Sequence, residues 1–173
     1  EEVLLEIFEV MAEHRILRQG KQDKKVLLKE LACIQGVYVP AFYKAFYDKK
    51  RRFTGIKVKE QGVAPQVVKR VVKDLDYAYF PLRPIVPYLE VVHDRMMLEV
   101  LRGCTRGCRF CQAGFLYRPV RERSKDLLLQ QAEKISEQTG HNEISLTSLS
   151  TSDYTGVEAL LRETLNLFAG KNI

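Results

Sequence analysis

The sequence predicts an α/β chain: a C-terminal part of two strand–helix units with parallel strands, preceded by a small α+β region. Three observations predict this. Val157, Leu160, Leu161, Thr164, Leu165 and Phe168 recur at helical spacing. Met96, Met97, Leu98, Val100 and Leu101 form an apolar run interrupted only by Glu99, which suits a strand covered on both faces. From residue 93 onward the order is strand, helix, strand, helix, the pattern of βα units whose strands run parallel.

Each element has its own signal. Val3, Leu4, Ile7, Phe8 and Met11 form a helical stripe, and residues 20–23 (GKQD) break it. Residues 24–34 (KKVLLKELACI) read as a second short helix ending near Cys33, a small apolar residue expected to be buried. Residues 42–47 and 55–58 read as two strands joined by the polar turn 48–52. The cations Lys49 to Arg52 read as a solvated turn. Residues 65–72 suit a short helix with Pro65 in its first turn. Pro81, Pro84 and Pro87 are too dense for a helix or a central strand, so residues 74–92 read as an extended linker. The expected strands lie near 96–101 and 143–149. Between them a helix over about 124–139 has Ser124 as its N-cap and Gly140 as its stop. A last helix begins at Val157 and closes before Gly170.

The chain has 173 residues, 46% of them apolar and 29% charged, which fits one ordinary domain with an appendage and argues against disorder. No apolar run reaches the roughly 18 residues of a spanning helix, so no membrane partner is expected. No secretory leader is visible either. The expected division is 1–92, a helical and hairpin linker region, and 93–173. The net charge is +6. Residues 95–123 concentrate positive charge: seven arginines (95, 102, 106, 109, 118, 121 and 123) stand against Glu99 and Glu122.

Three of the four cysteines lie inside that basic segment. Cys104, Cys108 and Cys111 are spaced x3 then x2, and Cys33 is far away. A secreted disulfide framework usually spreads an even set of cysteines through the chain, so this pattern suggests a reducing, cytoplasmic setting. Three soft thiolates suit an iron–sulfur cluster, which would keep one iron free of protein ligands for a small molecule. Gly103 and Gly107, each just before a cysteine, let a loop wrap closely around a bulky group. Zinc is the competing metal, with His93 or His141 as a fourth ligand, and purely structural cysteines are the third reading.

The stretch HDRMMLEVLRGCTRGCRFCQAGFLYRPVRERS, residues 93–124, carries CxxxCxxC with Phe110 just before the last cysteine. It resembles the radical S-adenosylmethionine superfamily, most closely uncharacterised members whose longer chains carry an N-terminal cobalamin-binding-type domain. Residues 36–43 (GVYVPAFY), 83–94 (RPIVPYLEVVHD) and 144–156 (ISLTSLSTSDYTG) resemble the same proteins. The implied fold is the first two βα units of a partial parallel barrel of the radical S-adenosylmethionine type. The implied cofactors are a 4Fe-4S cluster on Cys104, Cys108 and Cys111, and S-adenosylmethionine on the open iron. The implied activity is reductive cleavage of that cofactor to a 5′-deoxyadenosyl radical, with an electron donor such as flavodoxin or ferredoxin.

The resemblance also assigns cofactor-binding residues. Phe110 would pack beside the adenine. Many members carry a Gly-Gly-Glu stretch after the second strand to hold the methionine ammonium. Here the place reads SLSTSDY, residues 148–154, so Ser150, Ser152 and Asp153 are the candidates. Arg118, Arg121 and Arg123 resemble the arginine-rich stretch of methylthiotransferases, where they would meet the cofactor carboxylate or a polyanionic substrate. An eight-unit barrel takes about 250 residues, so the chain is expected to be a truncated piece, inactive alone because later strands would supply the substrate groups. It also lacks an Asp-x-His-x-x-Gly stretch, so cobalamin is expected only in the longer parent. Two alternatives stand beside this reading. One is a methylthiotransferase-like modification of RNA or protein. The other is a non-catalytic basic module that binds nucleic acid, with zinc or free thiols at the cysteines.

Overall fold

The structure, a computed structural model, describes residues 2–17, 24–89 and 91–173. The expected break at residues 20–23 lies outside the described residues. The chain divides between Val71 and Val72 into two compact units.

The first unit opens with helices α1 (Glu2–Leu17) and α2 (Lys24–Cys33). His14 of α1 is buried and hydrogen-bonds Glu30 of α2. Strands β1 (Tyr43–Tyr47) and β2 (Phe53–Val58) form an antiparallel hairpin, as the alternation of the sequence predicts. Two expectations fail here. Cys33 is exposed, because it ends α2 on a turn that does not reach the small core around Val39 and Phe42. Residues 65–72 form no helix. The segment is rich in β-branched valines, which are stiff at χ1, and exposed Val68 gains no packing to offset that.

The second unit carries the parallel pair. Strand β3 (Met96–Glu99) pairs with β6 (Ile144–Thr147), register Met96↔Ile144 to Glu99↔Thr147. Helix α4 (Lys125–Thr139) connects them and packs on β3, and α5 (Val157–Leu167) follows β6 and packs on α4. Gly140 ends α4 in the left-handed conformation at φ +69°. Ser124 starts α4 without a side-chain cap; instead its own N–H donates to Asp76 at 2.7 Å.

The core joins Met96, Leu98 and Val100 to Leu128, Ala132 and Ile135 of α4, and to Tyr154, Leu160 and Phe168. Leu98, Leu128 and Leu160 are fully buried, each contributing about 2 kcal/mol. The apolar run is covered on one face only: Met97 is exposed and Glu99 half-buried, because both helices pack on the Met96–Leu98–Val100 side. Residues 74–80, the first part of the expected linker 74–92, belong to this unit, and Leu75 and Ala78 are buried in it.

A buried guanidinium ties these pieces together. Arg123 donates to the carbonyls of Leu75 (2.6 Å) and Ala78 (3.3 Å) and to Glu99 (3.2 Å), and lies over the Phe80 ring. Its backbone N–H donates to Val100 and its carbonyl accepts from the Tyr154 hydroxyl, both at 2.9 Å. Arg102 donates twice more to Glu99. Burial disfavours the charged form of Glu99, but the hydrogen bonds and charges of Arg102 and Arg123 outweigh it and hold the carboxyl below its ordinary range.

Two predictions follow from this network. Arg123→Met should cost about 3 kcal/mol of stability, since it strips the donors from two buried carbonyls and one partner from Glu99. Urea unfolding followed by far-ultraviolet circular dichroism measures it. Because the Glu99 pKa is depressed in the fold, its stabilisation is complete above the ordinary glutamate range and is lost as pH falls through the depressed value. Glu99→Gln should therefore flatten the acid limb of a plot of urea midpoint against pH.

Candidate metal and cofactor site

The loop that carries the cysteines begins at the C-terminal end of β3. After Val100, strand β4 (Leu101–Arg102) pairs antiparallel with β5 (Arg121–Glu122), closing the loop at its base. Sequence patterning did not show this closure, because two-residue strands have no period. Gly103 turns the chain at φ +94°, and a Cβ there would stand 2.8 Å from the Pro119 carbonyl oxygen and 2.9 Å from that of Tyr117. Only glycine fits both the conformation and the space. Gly107 turns again at φ +62°. A short helix, α3 (Ala113–Leu116), completes the loop.

Cys104, Cys108 and Cys111 are free thiols, with Cys108 exposed and the other two half-buried. The Arg106 amide donates to the Cys104 sulfur at 3.5 Å, and the Cys111 amide to the Cys108 carbonyl at 3.0 Å. Among the described residues no three His, Cys, Asp or Glu side chains are gathered closely enough to hold one metal ion. The donor set is nonetheless chemically apt: three soft sulfurs on one short glycine-turned loop, with a backbone amide already directed at one of them.

The segment after β6 lies on the same rim, because parallel strands send both C-terminal loops to one side. Ser148 bonds Thr151 at 2.9 Å and accepts from the Ser150 amide at 3.1 Å. The Ser150 hydroxyl donates to Asp153 at 2.8 Å. Arg106 of the cysteine loop then reaches across and donates to both oxygens of Asp153, its Nε at 2.8 Å. The Arg106 hydrogen bond, and then that of Ser150, hold the Asp153 carboxyl below its usual range. Asp153 in turn raises the Arg106 pKa, with Cys104 and Cys108 adding to the effect. A second tie lies nearby: Glu122 of β5 accepts from the amide and the hydroxyl of Thr155, each at 3.0 Å.

The structure thus brings Ser150 and Asp153 to the cysteine loop. Ser152 is exposed and makes none of these contacts, and Phe110 is 93% exposed. The three arginines after the loop separate in role. Arg118 donates to the Cys104 carbonyl at 3.4 Å and lies over the Phe115 ring. Arg121 is taken up by the carbonyls of Pro119, Val72 and Tyr117, and burial followed by the nearby Arg102 charge lowers its pKa. Arg123 is the buried tie described above. The expectation that Arg121 and Arg123 would meet a cofactor carboxylate or polyanion is therefore corrected: backbone carbonyls and Glu99 already hold them. Sequence reasoning missed Arg106 as the partner of Asp153, since a pair 47 residues apart has no local signature. A signal did exist for Arg123, namely the single carboxylate, Glu99, inside an apolar strand.

Residues 98–173 match the family model described as Radical SAM superfamily, so this segment of the chain is similar to that superfamily. An uncharacterized protein of Methanocaldococcus jannaschii is 41% identical over 58 residues, covering 34% of this chain and 13% of that protein. The chain therefore spans only a small part of that relative's length. No solved structure matches it. Among the described residues, no helix is long and apolar enough to cross a membrane.

The Arg106–Asp153 tie gives the next prediction. Arg106→Ala and Asp153→Ala should each speed amide hydrogen exchange of residues 104–108 several-fold, as loss of an exposed pair implies, and leave β6 amides unchanged. Exchange read by mass spectrometry on both variants is the check.

Proposed function

We propose that the second unit is the cofactor-binding part of a radical S-adenosylmethionine enzyme. The observation that carries this reading is the loop of Cys104, Cys108 and Cys111, turned by glycines at the C-terminal end of a parallel strand, in a segment that matches the superfamily. Cys104, Cys108 and Cys111 would hold a 4Fe-4S cluster. When bound, cluster and S-adenosylmethionine together supply one-electron cleavage of the sulfonium to a 5′-deoxyadenosyl radical.

The chain's own residues would set the surroundings. Arg106 and Arg118 place positive charge beside the thiolates, which lowers the cost of gathering negative charge there. Ser150 and Asp153 offer oxygens to an ammonium group on the shared rim, with Asp153 already oriented by Arg106. Phe110, exposed beside Cys111, is available to cover an adenine ring. Ser152 contributes only if the turn rearranges. Reduced thiols suit a cytoplasmic setting with a flavodoxin- or ferredoxin-like electron donor. Cobalamin would belong to a longer parent. The methylthiotransferase-like reading keeps only Arg118 of its three arginines and is not preferred.

Anaerobic reconstitution with iron and sulfide should load about four irons per chain and give the broad charge-transfer absorption of a cubane cluster. Cys33→Ala should leave the iron count unchanged, whereas Cys104→Ala, Cys108→Ala or Cys111→Ala should abolish it. Stoichiometric zinc without sulfide would overturn the reading.

A further inference from the structure

The β1–β2 hairpin of the first unit has a composition that its fold does not explain. Residues 43–59 hold seven cations (Lys44, Lys49, Lys50, Arg51, Arg52, Lys57 and Lys59) against one acid, Asp48. Asp48 is spent inside the turn, accepting from the amides of Lys50 and Arg52 and from the Arg52 side chain. Lys44 and Lys57 stand directly opposite each other across the two strands, an arrangement of like charges that destabilises a sheet unless an anion lies between or above them. Among the described residues neither makes an ion pair; both ammonium groups instead lie over the Phe46 ring, at 5.5 and 5.3 Å.

The other face carries rings. Tyr47 and Phe53 are cross-strand partners in edge contact at 6.0 Å, 63% and 59% exposed, beside the cationic tip. Ile56 is exposed on the same face. Burial does not account for these rings, for the hairpin is exposed over most of both faces. Flat rings in water, bordered by the cations of the Lys49–Arg52 tip, match a ligand that has both exposed π-faces and a phosphate chain. A duplex hides its bases in the stack, whereas single-stranded RNA presents them.

We propose that the β1–β2 hairpin is a binding arm for single-stranded RNA, with bases stacking on Tyr47 and Phe53 and phosphates lying on the Lys49–Arg52 tip. The arm is independent of the cysteine loop and of any chemistry there.

Fluorescence anisotropy with a labelled 20-nucleotide single-stranded RNA, titrated with the whole chain over a range of salt, tests this. Tyr47→Ala and Phe53→Ala should each weaken binding about tenfold, the loss expected for one stacked base. Lys49→Gln with Lys50→Gln should reduce the slope of log affinity against log salt by about two phosphate contacts' worth. Because all four side chains are exposed, circular dichroism should show an unchanged fold. Cys104→Ala should bind the RNA as the parent does, which separates failure of this proposal from failure of the radical-enzyme reading. The proposal is overturned if the ring variants bind undiminished. It is equally overturned if duplex RNA, single-stranded DNA or anionic phospholipid vesicles bind more tightly than the single-stranded RNA.

Discussion

Arg123 is the constraint on which the second unit depends. A guanidinium is never deprotonated in a protein, so burying one commits the chain to surround it with acceptors. Those partners come from two places remote in sequence: the 75–80 segment, with the carbonyls of Leu75 and Ala78 and the ring of Phe80, and β3, with the carboxylate of Glu99. Its backbone adds two more ties, to Val100 and Tyr154. The segment ahead of the sheet, the first strand, the return from the cysteine loop and the turn after β6 are thereby fixed around one residue. The apolar core supplies the driving force, but it is tolerant of small shifts; the guanidinium sets where the pieces meet.

From that frame the rim inherits its geometry. Arg123 and Glu122 hold the outgoing end of the loop, and β4 and Gly103 hold the incoming end. Between those anchors the cysteines occupy the exposed part, where thiols are accessible and arginines are near. Arg106 adds a crossing tie to Asp153, so the two loops of the rim are one mechanical unit before any ligand arrives.

Local periodicity explains what the sequence made legible. The helices over 125–139 and 157–167 and the paired strands at 96–99 and 144–147 follow from apolar spacing and from Gly140, and the parallel arrangement from strict alternation. The cysteine spacing pointed to soft-metal chemistry without any structure. Long-range choices were not legible. Nothing local distinguishes Arg123, which is buried, from Arg109, which is exposed; the distinction lies in which carbonyls the fold delivers. Pro65 and a run of valines looked helical only while the absence of a packing partner was unknown. Cys33 looked buried by residue type, although its neighbours leave it at the surface.

Gly103 has a consequence for how this loop can vary. The atoms that would collide with a side chain there are main-chain atoms of Tyr117, Pro119 and Val120, which any amino acid at those positions would present. The entry angle of the loop is thus written in backbone rather than in side chains. Exposed Arg109 and Gln112 can drift without displacing the first cysteine, so the electrostatic character of the loop can be retuned while its point of departure stays put. Scaffold and chemistry are separable variables here, divided at a single residue that has no substitute.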